Sequence, residues 1–227
     1  MSNLLVTKSN ELIDASYKLN VSAQKLVLAC LGRIDSRSEV PKETTITSIE
    51  YGELLGLESN ARRDLYKAAD ALFKSSIRLK DNNDEIELYW IQKKVKKIKG
   101  EGSVTLVWSD DVIKYIGQLK NRFTSYKLRN IARLQSSHSI RIYELLMKFN
   151  STGERIIFVD DFKSALGISD KYPQFKILKR AVILPAIKEL NQRSNLNIKF
   201  STIKKGRTVG ALAFEFEEKS QMQFKEF

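Results

Sequence analysis

The side chains that carry most enzymatic chemistry are scarce in this sequence. It contains one histidine, His138, and one cysteine, Cys30. A protein zinc site draws three or four ligands from Cys, His and carboxylates, and no HExxH or CxxC pattern is present. The glycines of "GRTVGA" (206–211) do not have the spacing of a GxxxxGK[ST] phosphate loop. We therefore expect no metal, no cofactor and no enzymatic activity.

The remaining candidates for catalysis have simpler interpretations. His138 lies in "SSHSIRIYE", which is typical of a helix start with Ser136 or Ser137 as the capping residue. Two adjacent acidic pairs, Asp110–Asp111 and Asp160–Asp161, also lie near predicted helix starts. Carboxylates complement the helix dipole there, and we favour that role over metal binding.

Cations, in contrast, are abundant. The chain has 39 Lys and Arg against 27 Asp and Glu, a formal net charge of +12. Such an excess favours a polyanionic partner, because each cation placed on a phosphate releases a counterion. A solvated basic surface is the alternative, so the distribution of the cations must decide.

The segment "KYPQFKILKRAVILPAIKELNQ" (171–192) divides its cations from its apolar residues. Lys176, Lys179 and Arg180 have the i, i+3, i+4 spacing that places them on one helical face, and Lys171 precedes them. Pro185 is expected to kink or break this helix after Leu184. An apolar stripe suited to a core is formed by Phe175, Leu178, Val182 and Ile183.

A repeat across the chain predicts the elements that position these cations. "SIEYGELLGL" (48–57) matches "VDDFKSALGI" (159–168), and the aligned Gly56 and Gly167 suit helix ends where φ is positive. An order of helix, short strand, helix, glycine turn, helix and hairpin is that of a winged helix. The fold class is thus α+β, two tandem winged-helix domains. The flanking predictions are helices at 22–35, 60–76, 136–149 and 172–194, with strands at 77–80, 85–98, 103–108 and 196–217.

We place the domain boundary near Thr124, which gives domains at 1–124 and 125–227. A helix is expected from Asp110 to about Leu119, followed by a short connecting strand or helix in 122–134.

Both halves concentrate cations on the second helix of the repeat and on the hairpin. In a winged helix these elements meet the base edges and the phosphate backbone. Protection of a sheet edge against pairing is the alternative for the lysine-rich strand. In the first domain the expected DNA contacts are Arg62, Arg63 and Lys67 on this helix, and Lys93, Lys94, Lys96 and Lys97 on the wing. In the second domain they are Lys176, Lys179 and Arg180 on the helix, Lys171 just before it, and Lys204, Lys205 and Arg207 on the wing.

Three long motifs in order resemble the plasmid replication initiators of the iteron-binding Rep_3 type. They are "LVTKSNELIDASYKLNVSAQKLVLACLGRID" (5–35), "LQSSHSIRIYELLMKF" (134–149) and "FKILKRAVILPAIKELNQRSNLNIKF" (175–200) followed by "KKGRTVGALAFEF" (204–216). The resemblance implies an initiator that binds direct repeats (iterons) as a monomer and represses its own promoter as a dimer. It implies that domain 1–124 dimerises and contacts DNA, and that domain 125–227 is the main recognition domain. It also implies a host replication initiator and a replicative helicase as partners.

Other functions fit the sequence less well. A winged-helix transcriptional repressor without an initiator role would share the fold and need only an inverted repeat. A nicking replication enzyme would need a catalytic tyrosine beside a histidine metal cluster, which one histidine cannot supply. An RNA-binding protein would expose aromatic residues for base stacking, whereas these lie mostly at expected core positions.

The chain is expected to remain in the cytoplasm. A lone cysteine allows no disulfide within the chain. No apolar run approaches the ~20 residues of a membrane span, and the N-terminus lacks the pattern of a secretory signal.

Overall fold

The computed structural model describes residues 4–57, 59–81, 84–117, 119 and 121–219. The chain forms two compact units, Met1–Arg133 and Leu134–Phe227. The boundary that we placed near Thr124 lies inside a strand, Phe123–Lys127, that pairs with Leu5–Ser9. The chain thus returns to the first unit once more before it leaves, and a local pattern could not reveal this pairing.

Unit 1 contains a winged helix with additions. Its helices and strands are β1 (Leu5–Ser9), α1 (Asn10–Asp14), α2 (Val21–Leu31), β2 (Glu43–Thr47), α3 (Ser48–Leu55), α4 (Ala61–Phe73), β3 (Ser76–Asp81), β4 (Asp84–Tyr89), β5 (Ile91–Lys97), β6 (Ser103–Trp108), α5 (Asp110–Ile116) and β7 (Phe123–Lys127). The winged helix comprises α2, β2, α3, α4, β5 and β6, and its sheet has the order β2-β6-β5.

The sequence predicted a single strand at 85–98, but the structure has two. Strand β4 pairs with β3, whereas β5 pairs with β6 in the other sheet. Trp90 separates them, is fully buried, and meets the ring of Tyr17 edge-on at 5.1 Å. A buried aromatic anchor between two strands thus explains how an unbroken alternating pattern serves two sheets.

Unit 2 repeats the same architecture. Its elements are α6 (Ser137–Met147), β8 (Glu154–Phe158), α7 (Val159–Ala165), α8 (Phe175–Leu178), a π turn (Lys179–Ile183), α9 (Leu184–Arg193), β9 (Leu196–Lys205) and β10 (Thr208–Glu218). Strands β8, β10 and β9 pair in that order, as β2, β6 and β5 do in unit 1. The α+β class with two winged helices is therefore confirmed.

The matched glycines end the matched helices, as predicted. Gly56 follows α3 with φ of 64°, and Gly167 follows α7 with φ of 66°. In each case the next residue closes the helix end, since Leu57 N–H donates to Gly52 O and Ile168 N–H donates to Lys163 O. These left-handed turns direct the chain into the following helix, which the helix-turn-helix geometry requires.

The predicted helix caps are also present. Ser136 accepts a hydrogen bond from Ser139 N–H at the start of α6, which places His138 in the first turn. Asp110–Asp111 and Asp160–Asp161 occupy the first turns of α5 and α7.

A fully buried ion pair fixes the helix-turn-helix of unit 2. Arg141 on α6 donates from Nη1 to Glu144 at 2.7 Å, and both side chains are almost completely buried. Its Nε and Nη2 donate to the Ala165 carbonyl at the end of α7, at 3.3 and 3.0 Å. Arg141 therefore joins α6 to the last turn of α7.

Pro185 does not break the recognition helix of unit 2. The helical path continues from Phe175 to Arg193 and changes from α to π geometry just before the proline. We expected a kink or a break after Leu184; the helix does not break there, because the wider turn accommodates the proline ring and its missing N–H.

In the part of the chain that the structure describes, no helix is long and apolar enough to cross a membrane.

Candidate nucleic-acid interface

The recognition helix of unit 2 presents some of its predicted cations to solvent. Lys176 and Arg180 are exposed on the segment from α8 to the π turn, and Lys171 is exposed in the preceding turn. Lys179 is half-buried, with Nζ 5.9 Å from the centroid of the Phe200 ring. Leu178, Val182 and Ile183 are buried on the opposite side. The helix thus has a basic face and a core face, and Lys179 lies between them.

The wing of unit 2 presents a second basic group. Strands β9 and β10 pair Lys205 with Thr208 around a tight turn in which Gly206 has φ of 65°. Lys204, Lys205 and Arg207 are all exposed. An exposed, cationic hairpin tip of this kind is suited to contact a phosphate backbone.

Arg62 in unit 1, a predicted DNA contact, is hydrogen-bonded to the wing in this structure. Its guanidinium donates to the carbonyl oxygens of Ile98 and, at 3.3 Å, of Gly100. Tyr66, one turn later on α4, donates its hydroxyl to Lys97 O at 2.7 Å. These bonds tie the β5–β6 wing to α4. Arg62 can approach the wing this closely because residue 102 is a glycine. A Cβ at this position would lie 2.9 Å from Arg62 Nε, and its φ of 84° also favours glycine.

The other two predicted cations of α4, Arg63 and Lys67, are exposed. Arg63 lies beside Asp64, with Nε 3.2 Å from Oδ1. They remain the candidate DNA contacts of this helix.

The four lysines of β5 divide by strand alternation into two pairs. Lys93 and Lys97 are exposed on one face of the sheet. Lys94 and Lys96 turn to the other face, where both amines contact the Asp70 carboxylate of α4, Lys96 at 2.6 Å. β5 is also the edge strand of its sheet. Its lysines therefore divide between an internal ion-pair cluster and a solvent-facing pair.

Aromatic rings support that internal cluster. Lys94 Nζ lies 5.0 Å from the Phe73 ring centroid, and Lys96 Nζ lies 5.6 Å from that of Tyr66. Hydrogen bonds from Lys94, which has the larger effect, and from Lys96 hold the pKa of the Asp70 carboxyl below its ordinary value. Sequence reasoning missed Tyr66, Asp70 and Gly102, although Arg62, Tyr66 and Asp70 have the i, i+4, i+8 spacing of one helical face.

We expect the two pairs of β5 lysines to respond differently to substitution. The plot of log affinity against log salt has a negative slope. Changing both Lys93 and Lys97 to Ala should make it shallower, by up to about 0.9 for each lost phosphate contact. Changing Lys94 and Lys96 to Ala should leave the slope closer to that of the parent and lower the stability instead. Fluorescence-anisotropy titrations over a range of salt concentrations measure the slopes. Equal slopes for the parent and the Lys93/Lys97 variant would assign these residues to edge protection.

The Asp70 cluster should make a small, pH-dependent contribution to stability. Because its folded pKa is depressed, the contribution is fully present above the ordinary value of 3.8 and is lost as pH falls through the folded value. Asp70→Asn should therefore lower the free energy of unfolding at pH 7, measured by urea denaturation, by less than about 1 kcal/mol because the cluster is partly solvated. The difference should shrink below pH 4. A gap that stays constant down to pH 2.5 would contradict this.

The Cys30 thiol is not placed for chemistry in the structure. Burial raises the pKa of the Cys30 thiol to about 12, so it is not a reactive thiolate near neutral pH. Among the residues that the structure describes, no cluster of three His, Cys, Asp or Glu side chains could hold a metal ion.

Family models cover both units. Residues 5–147 match the family "Initiator Replication protein, WH1". The chain belongs to the replication initiator family. Residues 159–216 of this initiator match the companion model "Initiator Rep protein, WH2".

Relatives of this initiator are found over almost its full length. A "Replication initiation protein" of Escherichia coli is 31% identical, over 98% of this chain and 72% of its own. The "PI protein" of Escherichia coli is 28% identical over 91% of this chain and 80% of its own. A crystal structure of the Pi initiator protein in complex with iteron DNA superposes with a TM-score of 0.83 at 25% identity. That match covers 97% of this initiator and all of the other chain.

Proposed function

We propose that this initiator binds direct repeats at a plasmid origin as a monomer, with both winged helices on double-stranded DNA. The observation that carries the proposal is the exposed cationic face formed by Lys176 and Arg180 on the recognition helix of unit 2. A related initiator of the same fold forms a complex with iteron DNA, which supports the choice of ligand.

In this proposal the wings and the recognition helix of unit 2 make different contributions to binding. Exposed lysines and Arg207 on the wings supply salt-dependent affinity, since counterions leave the phosphates that they contact. Arg180 and Lys176 supply sequence choice, because Arg pairs with the two acceptor atoms of a guanine edge. In this proposal Arg62 acts through the wing that it holds, and Lys94 and Lys96 act through Asp70. Arg63, Lys67 and Lys171 remain candidate contacts.

The mechanism needs binding energy but no covalent chemistry. Contacts to successive repeats would hold and bend the duplex and favour opening of adjacent A·T-rich DNA, where deformation is least costly. In line with this, we infer that the protein is not an enzyme and uses no cofactor.

Further roles follow from the family. We infer that unit 1 mediates a homodimer in exchange with the monomer, and that the dimer represses the initiator's own promoter. Host initiator and replicative helicase are the expected partners at the opened origin. These roles place the protein in the cytoplasm.

A footprint on the DNA flanking its coding region tests the proposal. We expect protection of several evenly spaced direct repeats at low protein concentration. Protection of one inverted repeat alone would favour a repressor without an initiator role. Failure to protect any site, with a mobility shift equal on all duplexes, would overturn sequence-specific binding.

A further inference from the structure

The buried residues of the second recognition helix do not fit the rotation of a continuous α-helix. Leu178 and Leu190 are both fully buried in unit 2. An α-helix advances by about 100° per residue, so these two side chains would point about 120° apart on a continuous α-helix. One of them would then leave the core, which the structure does not show.

The π turn supplies the missing rotation. Leu184 N–H donates to Lys179 O, five residues back, so this turn contains one residue more than an α turn. One extra residue removes roughly 100° from the accumulated rotation. Leu178 therefore comes within about 20° of Leu190, and one stripe reaches the core on both sides of the turn.

Pro185 accounts for the position of the π turn. It is the second residue of α9, directly after the π hydrogen bond at Leu184. In a continuous α-helix its ring would clash with the Ala181 carbonyl, and it has no N–H to donate. A wider turn is one of the few ways in which a helix can pass such a residue without ending.

The two cations to which we assign sequence choice lie at the N-terminal end of this segment. Lys176 precedes the π turn and Arg180 is its second residue, whereas Ile187 and Leu190 anchor α9 in the core. The rotation between the anchored half and the cationic half is thus set by the π turn. A change of about 100° at that point would move the Lys176 amine to another side of the helix.

We propose that Pro185, through the π turn, sets the direction of Lys176 and Arg180 and is a positioning residue for DNA sequence selection by unit 2. This inference rests on the proposed function. It assigns specificity to a residue whose side chain carries no hydrogen-bonding group.

Two variants test it. Pro185→Ala removes the cause of the wide turn and allows a continuous α-helix, in which the two halves are rotated by about 100° relative to their present arrangement. Pro185→Ala combined with deletion of the exposed Ala181 also forms an α-helix, but one residue shorter. The deletion removes about 100° of rotation, so the two halves regain their original relative orientation. Pro41→Ala, at an exposed site of unit 1, is the matched control. The probes are the duplex protected in the footprint and a scrambled duplex of equal composition, at one salt concentration.

We expect Pro185→Ala to lower the ratio of specific to scrambled affinity by about tenfold or more, the scale of a mismatched base pair. Its affinity for scrambled DNA should change by less than about twofold, since the same charges remain. The variant with the deletion should recover most of the ratio. Parent-like discrimination by Pro185→Ala, or failure of the deletion to restore it, would overturn the inference.

Folding and the proposed function are checked separately. Circular dichroism and urea midpoints establish that each variant folds. If Pro185→Ala does not fold, the deletion variant decides alone, since parent-like discrimination supports the inference and its loss refutes it. If the parent itself does not distinguish the two duplexes, the proposed function fails, whatever the proline variants do.

Discussion

Arg180→Ala should weaken binding to the origin repeat by about 10- to 100-fold and change binding to unrelated DNA by less than about threefold. The guanidinium is exposed on the basic face of the recognition helix, and loss of a bidentate contact to guanine is worth about 1–3 kcal/mol. Competition titrations with both duplexes at fixed salt measure the two affinities.

Arg193→Ala provides a matched control for this experiment. Arg193 belongs to the same helical segment but lies at its far end, where it is paired with Glu189 at 3.8 Å. The control should retain both affinities. An equal loss on both duplexes for Arg180→Ala would assign Arg180 to a phosphate and leave the choice of sequence to other residues.

Arg141→Met should reduce the free energy of unfolding of unit 2 by about 3–5 kcal/mol. It removes the guanidinium that donates to the buried Glu144 carboxylate, and removal of one partner from a buried pair has an effect of this size. The Ala165 carbonyl also loses two donors, so the end of α7 is released. Urea denaturation followed by circular dichroism gives the change, and specific DNA binding should fall with it.

The double variant Arg141→Met, Glu144→Leu separates the two effects. Replacing both charges by apolar groups also removes the carboxylate that lost the guanidinium, so it should recover much of the lost stability. The Ala165 carbonyl stays without its donors, so recovery should be incomplete. A double variant less stable than Arg141→Met alone would contradict the assignment of the loss to a stranded charge.

Local physics explains which parts of the fold the sequence could predict. Gly56 and Gly167 could be placed because a helix end with positive φ favours one residue type. The recognition helices and wings followed from periodicity. The pairing of β1 with β7 could not be predicted, because it joins segments more than 100 residues apart and depends on tertiary contacts alone.

The site was less predictable than the fold. All seven cations expected in unit 2 were proposed from residue type and spacing. In the structure six of them are exposed, whereas Lys179 is half-buried beside the Phe200 ring. In unit 1, charge alone could not separate Arg62, Lys94 and Lys96 from Lys93 and Lys97. What separates them is a neighbour on another element, a wing carbonyl or Asp70, and such neighbours appear only once the chain is folded.

The buried thiol of Cys30 has a practical use. With its pKa near 12 and no exposure to solvent, it should not react with maleimides at neutral pH. A cysteine introduced at an exposed position such as Ser201 would then be the single reactive thiol, without prior removal of the native one. The chain is thus ready for site-specific fluorophores, and a dye on the wing strand could report arrival at each repeat in real time.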